Sequence, residues 1–436
     1  MTQVIFMLKK GSLLTLFKEY YSTASLEVDS IPRREFAFMT WDGRMIRHQA
    51  HKNEESILEF AQQRAPKAIY ASLSKYLDPS HRLPKNVDRK TVNCQECGES
   101  YKAEGNNPPC PSCGVQNEKA DINTKDRRAM TLAFDIDYGD IPGHTKRSPK
   151  ENLGAAARST INLVNLLTQD LGFDQQSIHI TFSGQKGFHI RVATDNHPLF
   201  SQHAATDEFV RKSLINYVSG YNFKAMDFLL VTAHAHSANT WHLKSYNSGW
   251  GKRFNESIEY IIKMAFGDKE TFRSVLDMYM PWYEDKERKG TKKSLPSAKV
   301  IEGFKSACVK HGESVLKGGN VRELGDANAK RLMSFALSRS RLRYASFVDS
   351  RVTADKARVL RIPGSIHGGS GMVCCTVPSV EHLNDMSWIL DLQAELLGTD
   401  QVEVSISKVA NTLYGVYEPG EHTVPKNVAI SMLCKQ

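Results

Sequence analysis

Met130-Thr131-Leu132-Ala133-Phe134-Asp135-Ile136-Asp137 is an apolar run that ends in two carboxylates separated by one residue. Residues two apart on a β-strand lie on the same face, so the pattern predicts a strand that projects Asp135 and Asp137 together while Phe134 and Ile136 face a core. Such a pair often meets solvent or an arginine. It also suits Mg²⁺ or Mn²⁺, which prefer oxygen ligands and usually hold substrate phosphates as well.

Composition and charge indicate a soluble globular protein. Of the 436 residues, 41% are hydrophobic and 24% are charged, a balance typical of such chains. The net charge of +9 favours a polyanionic partner, nucleic acid first, because Lys and Arg release cations from phosphates; it is equally consistent with a solubility feature.

Lys9 and Lys10 interrupt the apolar N-terminus, and no run reaches the roughly 18 apolar residues of a membrane span. We therefore expect a cytoplasmic protein without a membrane partner.

Four of the eight cysteines form one tight cluster. The cluster consists of two Cys-x-x-Cys-Gly pairs with twelve residues between the inner cysteines: Cys94, Cys97, Cys110 and Cys113. Four thiolates make a closed tetrahedral Zn²⁺ site, which is structural because no position remains for water or substrate. An iron–sulfur cluster or a redox pair is the weaker alternative. The remaining cysteines are scattered, which argues for buried thiols rather than a disulfide framework.

A second informative stretch joins two alternating segments, 178–182 and 188–192, through Ser183-Gly184-Gln185-Lys186-Gly187. A loop with two glycines can turn backbone N–H groups toward an anion, while Ser183, Lys186 and His189 supply further donors. Hairpins that contain glycine are common, however, and His189 is equally consistent with a half-buried histidine whose hydrogen bonds are satisfied within the protein.

A third stretch begins with Asp349 at a strand end and continues through a basic strand, a Pro-Gly turn and a glycine-rich bend at 358–371. Asp349 could complete a trio of metal-binding carboxylates, and Arg361 and His367 could meet phosphate oxygens. Taken singly, Asp349 is more often a turn residue and His367 a surface histidine.

The rest of the chain predicts a mixture of helices and strands. Asp42-Gly43 between two alternating runs is a strong hairpin signal, on which Arg34, Glu35 and Arg47 lie either on a solvated face or toward a ligand. Residues 53–64 and 153–171 have helical periodicity, and 200–340 is mostly helical. The basic stretch 286–299 is typical of a solvated loop, with nucleic-acid contact the less favoured interpretation.

In this order, these stretches resemble the catalytic small subunit of archaeo-eukaryotic DNA primase, in its archaeal branch. The resemblance runs from Tyr20 almost to the end of the sequence. Its motifs lie at residues 34–36, 47–48, 135–137, 183–189, 249–253, 360–367 and 418–429. We therefore expect an α/β (α+β) primase domain whose mixed or antiparallel central sheet is flanked by helices and interrupted by a zinc ribbon and a mainly helical insertion.

The expected division of the chain follows from the same motifs. The catalytic domain would be formed by residues 1–85, by a core at 126–200 with the paired aspartates, and by 341–436. The zinc ribbon would occupy 86–125 and the helical insertion 201–340.

The resemblance implies roles for the matching residues. Asp135, Asp137 and Asp349 would hold two Mg²⁺ or Mn²⁺ ions. The incoming nucleoside triphosphate would be bound by the following side chains: Ser183, Lys186, His189, Arg361 and His367. Arg47 matches a position that the family needs for activity.

The sequence differs from the family pattern in two places. The family often has arginine where this chain has Gln185 and Lys186, and a lysine lacks the forked phosphate contact of arginine. The family's zinc site generally follows the paired aspartates, whereas the four clustered cysteines here precede them.

The implied reaction is synthesis of short RNA primers on single-stranded DNA during replication, by two-metal nucleotidyl transfer. Starting a chain also requires a separate large subunit with an iron–sulfur domain, so we expect a heterodimer. A stand-alone primase-polymerase that uses deoxynucleotides in repair or in mobile-element replication is an alternative. Two others are a non-catalytic, zinc-bearing nucleic-acid-binding subunit and a metal-dependent phosphodiesterase.

Overall fold

A computed structural model describes residues 7–81, 91–94, 96–102, 109–115, 127–141, 148–194, 197, 200, 207–235, 238–280 and 295–436. The basic stretch 286–299 lies largely outside these residues. The α-helices in the described part are α1 Leu13–Thr23, α2 Glu54–Arg64, α3 Pro149–Asn165, α4 Glu208–Ser219, α5 Gly249–Met264, α6 Lys269–Tyr279, α7 Ala298–Leu316, α8 Asp326–Tyr344, α9 Ser350–Ala354, α10 Ser387–Leu397 and α11 Lys426–Cys434. None of the described helices is long and apolar enough to cross a membrane.

Two antiparallel sheets form the centre of the fold. The aspartate sheet has the strand order β16-β9-β10-β8, and the hairpin sheet has the order β13-β4-β2-β3, with β7 also paired to β4. The aspartate sheet comprises β8 Leu132–Asp137, β9 Ile178–Phe182, β10 Gly187–Val192 and β16 Cys375–Thr376. The hairpin sheet comprises β2 Arg34–Met39, β3 Met45–Gln49, β4 Ala68–Tyr76, β7 Arg127–Met130 and β13 Val359–Arg361.

The remaining strands form smaller sheets. In a three-stranded sheet, β17 lies between β1, to which it is parallel, and β20, to which it is antiparallel. The other pairs are β5 with β6, β11 with β12, β14 with β15 and β18 with β19. Their bounds are β1 Met7–Leu8, β5 Thr91–Asn93, β6 Ser100–Lys102, β11 Leu229–Thr232, β12 Thr240–Leu243, β14 Ile366–His367, β15 Met372–Val373, β17 Gln401–Ile406, β18 Ala410–Asn411, β19 Val416–Tyr417 and β20 Gly420–Pro425. The predicted α+β class with antiparallel sheet is confirmed.

One nearly continuous stretch links the two central sheets. β7 pairs with β4 in the hairpin sheet, and after Thr131 the chain continues as β8 in the aspartate sheet. The amide of Thr131 donates to the carbonyl of Leu73 at 2.9 Å, and its hydroxyl accepts from the Arg34 guanidinium at 3.1 Å. The aspartates therefore lie where the two sheets meet.

The apolar face of β8 is covered by a helix that the sequence specifies well. Phe134 and Ile136 are fully buried in the largest core. α3 packs against β8 and β10, and it begins with a capping box in which Ser148 and Glu151 satisfy each other's backbone amides. With α3 on one face of β8, Asp135 and Asp137 are left on the other.

The predicted Asp-Gly hairpin is present, but two of its charged residues, Arg34 and Glu35, are buried rather than solvated. The amide of Gly43 donates to the carbonyl of Thr40 at 3.1 Å, and Gly43 adopts φ +83°. Arg34 is buried and donates to the carboxylate of Asp29 at 2.5 Å and to the carbonyl of Ser72 at 2.6 Å. Arg34 therefore joins β2 to β4 and to the segment before it, which is a structural role.

The described part of residues 201–340 is mainly helical, as predicted. Helices α4 to α8 fill most of it, and the hairpin β11–β12 lies among them. Two fully buried arginines, Arg211 and Arg341, satisfy backbone carbonyls: Arg211 donates to Thr353, and Arg341 donates to Gly220 and Phe223. The Arg211 contact attaches α4 to α9, and the Arg341 contacts attach α8 to the turn after α4, in both cases through polar bonds inside the core.

Candidate active site

The three aspartates come from two segments that touch through their backbones. The amide of Asp349 donates to the carbonyl of Asp135 at 2.8 Å, which fixes the end of α8 and the start of α9 against β8. One Asp349 carboxylate oxygen caps α9 by accepting from the Arg351 amide at 2.9 Å. The other lies 3.8 Å from the Arg358 guanidinium. Asp349 is thus both a helix-capping residue and a neighbour of the paired aspartates.

The glycine loop after β9 is held tightly against β8. The amide of Ser183 donates to the carbonyl of Gly187 at 2.9 Å, and the amide of Gly187 donates to the Ser183 hydroxyl at 3.3 Å. A Cβ atom at Gly187 would lie 1.7 Å from the carbonyl oxygen of Ile136, so only glycine fits there. His189 on β10 pairs directly with Asp135 in the sheet register. The loop and the aspartates therefore have a fixed relative position.

A polar cavity of about 250 Å³ lies between the two central sheets at this point. Of the candidate site residues, the following line it: Asp135, Asp137, Ser183, Lys186, His189, Arg361 and His367. Asp349 lies at its edge, beside Arg358. Sequence reasoning missed Tyr70 and Arg358, which also line the cavity. No local signal marks Tyr70, which lies within the mostly buried strand β4.

Arg361 on β13 spans the gap between the two sheets. One guanidinium nitrogen donates to the carbonyl of Ser183 at 2.6 Å, and another donates to the Tyr70 hydroxyl at 3.1 Å. The Nε atom of Arg361 is buried and has no hydrogen-bond partner among the described residues. Half-buried Arg191 on β10 donates to the Arg361 carbonyl at 3.0 Å. Arg361 is therefore oriented by both sheets and keeps one donor free.

The surroundings of the carboxylates disfavour their charged forms. Burial, together with the nearby charges of Asp137 and Asp349, raises the pKa of Asp135 to about 7. Burial likewise raises the pKa of Asp137 and of Asp140, a further acid in the turn after β8. One Asp135 oxygen is buried without a hydrogen-bond partner in the described structure. An unsatisfied oxygen among mutually repelling carboxylates fits a divalent cation.

The surroundings of the two histidines favour their neutral forms. Burial, with Arg191 and Arg361, holds the pKa of His189 well below the usual value, and burial, with Arg361, Lys435 and Lys67, does the same for the pKa of His367. The His189 Nε2 atom lies 3.7 Å from an Asp135 oxygen, and His367 Nδ1 accepts from the Gly369 amide at 3.0 Å. Since its Nδ1 is an acceptor, His367 can present an Nε2–H donor to an anion.

The comparisons with known proteins agree with one another. The sequence model of the DNA primase small subunit family matches residues 134–377, more than half of the chain. The chain belongs to this family. The match begins one residue before Asp135 and includes all the cavity-lining residues named above except Tyr70.

Archaeal relatives extend the similarity over nearly the whole chain. The DNA primase small subunit PriS of Methanosarcina mazei is 25% identical, with 97% of this chain and 94% of the relative covered. That of Methanococcoides burtonii is 26% identical, with 98% and 97% covered. That of Picrophilus torridus is 24% identical, with 85% and 81% covered.

Arg47 lies beside the cavity of this primase-family chain rather than in its lining. It donates to buried Glu35 at 2.8 Å and to the carbonyl of Ala357 at 2.8 Å. Glu35 also accepts from the amide of His48 at 3.1 Å. Arg47 thus attaches β3 to the residue that precedes Arg358.

The four clustered cysteines converge as a structural metal site requires. Their sulfur atoms all lie within 4.8 Å of one another, the only such set of possible ligand atoms in the described part of the chain. The three aspartates are therefore more widely spaced. In both halves the cysteine backbones make the same turn: Gly98 and Gly114 donate to the carbonyls of Cys94 and Cys110 and adopt φ +75° and +70°. This arrangement fits a tetrahedral Zn²⁺ site.

Proposed function

We propose that this chain is the catalytic subunit of a DNA primase and makes short RNA primers on single-stranded DNA by two-metal nucleotidyl transfer. One observation carries the proposal. The cavity between the sheets brings the acidic side chains Asp135 and Asp137 of β8 together with Lys186, Arg361 and His367. This is the arrangement that a metal-bound nucleoside triphosphate needs. The family membership supports the same reaction class.

Asp135, Asp137 and Asp349 would hold the divalent ions. Asp140 lies close enough for its charge to interact with those of Asp137 and Asp349. The wide spacing of the three carboxylates is compatible with two ions about 3.5–4 Å apart, since ligands of different ions need not touch. When bound, such ions supply Lewis-acid activation of the primer 3′-hydroxyl and offset charge on the departing pyrophosphate. Asp135 and Asp137 must lose their protons to bind a cation, which their raised pKa values oppose until the cation arrives.

The basic side of the cavity would orient the triphosphate for in-line attack. Arg361 offers its free Nε–H, Lys186 a mobile ammonium group, and Ser183 a hydroxyl hydrogen. His189 and His367, being neutral, would contribute directed hydrogen bonds rather than charge. Arg47 would act from outside the cavity by fixing the segment that carries Arg358. No covalent enzyme intermediate is needed, because positioning and charge stabilisation suffice for this class of reaction.

A large subunit would complete the enzyme. The name of the family and of its archaeal members, small subunit, implies such a partner. We propose that the isolated chain extends primers, and that starting a new chain requires the heterodimer.

The deciding experiment adds Mg²⁺ or Mn²⁺, labelled nucleotides and a single-stranded template to the chain, with and without the large subunit. We expect ribonucleotide oligomers that disappear in Asp135→Ala/Asp137→Ala. A strong preference for deoxynucleotides would favour the stand-alone primase-polymerase. Strand cleavage without nucleotides would indicate a phosphodiesterase. Template binding without any product, even with the large subunit, would overturn the proposal and favour a non-catalytic subunit.

A further inference from the structure

A second, smaller cavity adjoins the active-site cavity. It has a volume of about 130 Å³ and shares Gln185 with the larger one. One wall is formed by α11 and the residue that directly follows it, which contribute Ser431 and Lys435. The volume is well above the roughly 10–15 Å³ that a single water molecule needs, and it is enough for one tetrahedral oxyanion.

The lining of this cavity offers donors without acids. None of the described residues that line it is Asp or Glu. Ser431 is only 1% exposed, and its buried hydroxyl has no hydrogen-bond partner within the described structure. A serine inside a helix normally donates to the carbonyl one turn earlier, so an unpaired Ser431 hydroxyl is free to meet a ligand. By contrast, the neighbouring Thr412 hydroxyl already donates to the carbonyl of Gly415 at 2.9 Å.

Lys435 supplies a positive charge that no carboxylate of the described structure neutralises. It is half-buried, and burial together with the charge of Lys186 lowers its pKa. Two lysines that repel each other across Gln185 create a positive field shared by the two cavities. The wall between the cavities is firmly held, because the Ser370 hydroxyl donates to the carbonyl of Gly184 at 2.6 Å. Because the two cavities share Gln185, an anion bound in the larger cavity lies next to the positive charge of Lys435.

We propose that the cavity behind Gln185 is an accessory phosphate subsite, in which Lys435 and Ser431 bind the outermost phosphate. This phosphate would come either from the incoming nucleoside triphosphate or from the pyrophosphate that leaves it. The inference rests on the proposed function, since it assumes a triphosphate held by Ser183, Lys186 and Arg361. It adds the C-terminal helix to the nucleotide-binding surface.

The test compares Lys435→Gln and Ser431→Ala with wild type in the full chain. The matched control is Lys426→Gln, which removes a charge from the same helix at a residue that lies 3.4 Å from Glu19 and outside both cavities. The probes are the non-hydrolysable adenosine 5′-(α,β-methylene)triphosphate, ADP and inorganic pyrophosphate, each with Mg²⁺. Calorimetry gives the affinities, and primer extension gives KM, kcat and the inhibition constant of pyrophosphate.

If the subsite holds the nucleotide's outer phosphate, Lys435→Gln weakens triphosphate binding about 10-fold and Ser431→Ala about 3-fold, a range expected for charge-assisted hydrogen bonds. In both variants the affinity for ADP and kcat stay at their wild-type values. The Lys426→Gln control binds the triphosphate like wild type, and Lys435→Arg restores triphosphate binding. If it holds leaving pyrophosphate, pyrophosphate inhibition weakens while KM does not change.

Unchanged affinities for all three probes in Lys435→Gln, in a wild-type background that polymerises nucleotides, would overturn this inference alone. A wild-type chain that neither binds nor incorporates nucleotides would overturn the proposed function and this inference with it.

Discussion

At the scale of single residues, the decisive feature is a carboxylate placed where it is electrostatically unfavourable. Asp135 is half-buried, lies near Asp137 and Asp349, and has one buried oxygen without a hydrogen-bond partner in the described structure. A folded protein keeps such a group only where the surrounding structure fixes it and a ligand makes use of it. Its removal should therefore affect activity and stability in opposite directions.

We predict that Asp135→Asn lowers primer synthesis by about 10³-fold, because metal-assisted charge stabilisation contributes several kcal/mol and each 1.36 kcal/mol is tenfold in rate. Without metal, the Asp135→Asn variant should melt at the same temperature as wild type or higher, because the repulsion of Asp135 by Asp137 and Asp349 is relieved. Primer extension and calorimetry measure the two effects. Asp277→Asn, an exposed residue on α6, is the control. A large drop in melting temperature would mean that Asp135 is structural.

The pH dependence follows from the same residue. The pKa of Asp135 rises from 3.8 to about 7 on folding without metal. Between these values the folded state holds a proton that the unfolded state has lost, so its stability falls as the pH rises toward 7. In EDTA, we predict a melting temperature that decreases from pH 5 to pH 8, and a smaller decrease in Asp135→Asn. Mg²⁺ should stabilise wild type more at pH 8 than at pH 6. Parallel curves for the two proteins would contradict this assignment.

At the scale of elements, β13 positions the site, whereas the cysteine ribbon is independent of it. β13 contributes Arg361, which connects the hairpin sheet to the glycine loop of the aspartate sheet. The zinc ribbon is a separate element whose buried residues, Cys94, Tyr101 and Cys110, form a small cluster of their own. A change in β13 should therefore alter the cavity, whereas a change in the ribbon should leave the main cores intact.

We predict that Arg361→Lys raises KM for nucleotide by about 10-fold or more, because lysine keeps the charge but cannot donate in two fixed directions. Arg44→Lys, on the exposed hairpin, should match wild type. Steady-state kinetics with a primed template give the values. A Lys variant with wild-type KM would show that charge alone is sufficient at this position.

The four cysteines of the ribbon should determine the zinc content of the protein. We expect one Zn²⁺ per chain by elemental analysis, and loss of that zinc in Cys94→Ser/Cys110→Ser, because a thiolate site loses affinity when its ligands are removed. The main thermal transition should shift little, since the ribbon has its own cluster. Iron with visible absorption in place of zinc would support the alternative cluster type.

At the scale of the whole molecule, net charge governs the encounter with template. The chain carries a net charge of +9, and binding of Lys and Arg to phosphates releases counterions. We predict that affinity for single-stranded DNA falls by roughly 50-fold between 50 and 200 mM salt if about four phosphates are neutralised. Fluorescence anisotropy at constant Mg²⁺ gives the slope. An affinity insensitive to salt would exclude backbone contacts as the main source of binding.

The sequence alone determined the local parts of the site. A period of two put Asp135 and Asp137 on one face of β8, the glycines predicted the loop at 183–187, and two Cys-x-x-Cys-Gly pairs predicted the metal ribbon. These features depend on the backbone geometry of a few consecutive residues, which local sequence specifies.

Only the tertiary structure decided how distant segments meet. It made Arg34 a buried link rather than a solvated or ligand-facing residue, placed Arg47 beside the cavity, and brought Tyr70 and Arg358 into the lining. It also brought α11 next to the glycine loop. Such contacts join residues up to several hundred positions apart, and they arise from the packing of one sheet against another, for which no periodicity along the chain is a signal.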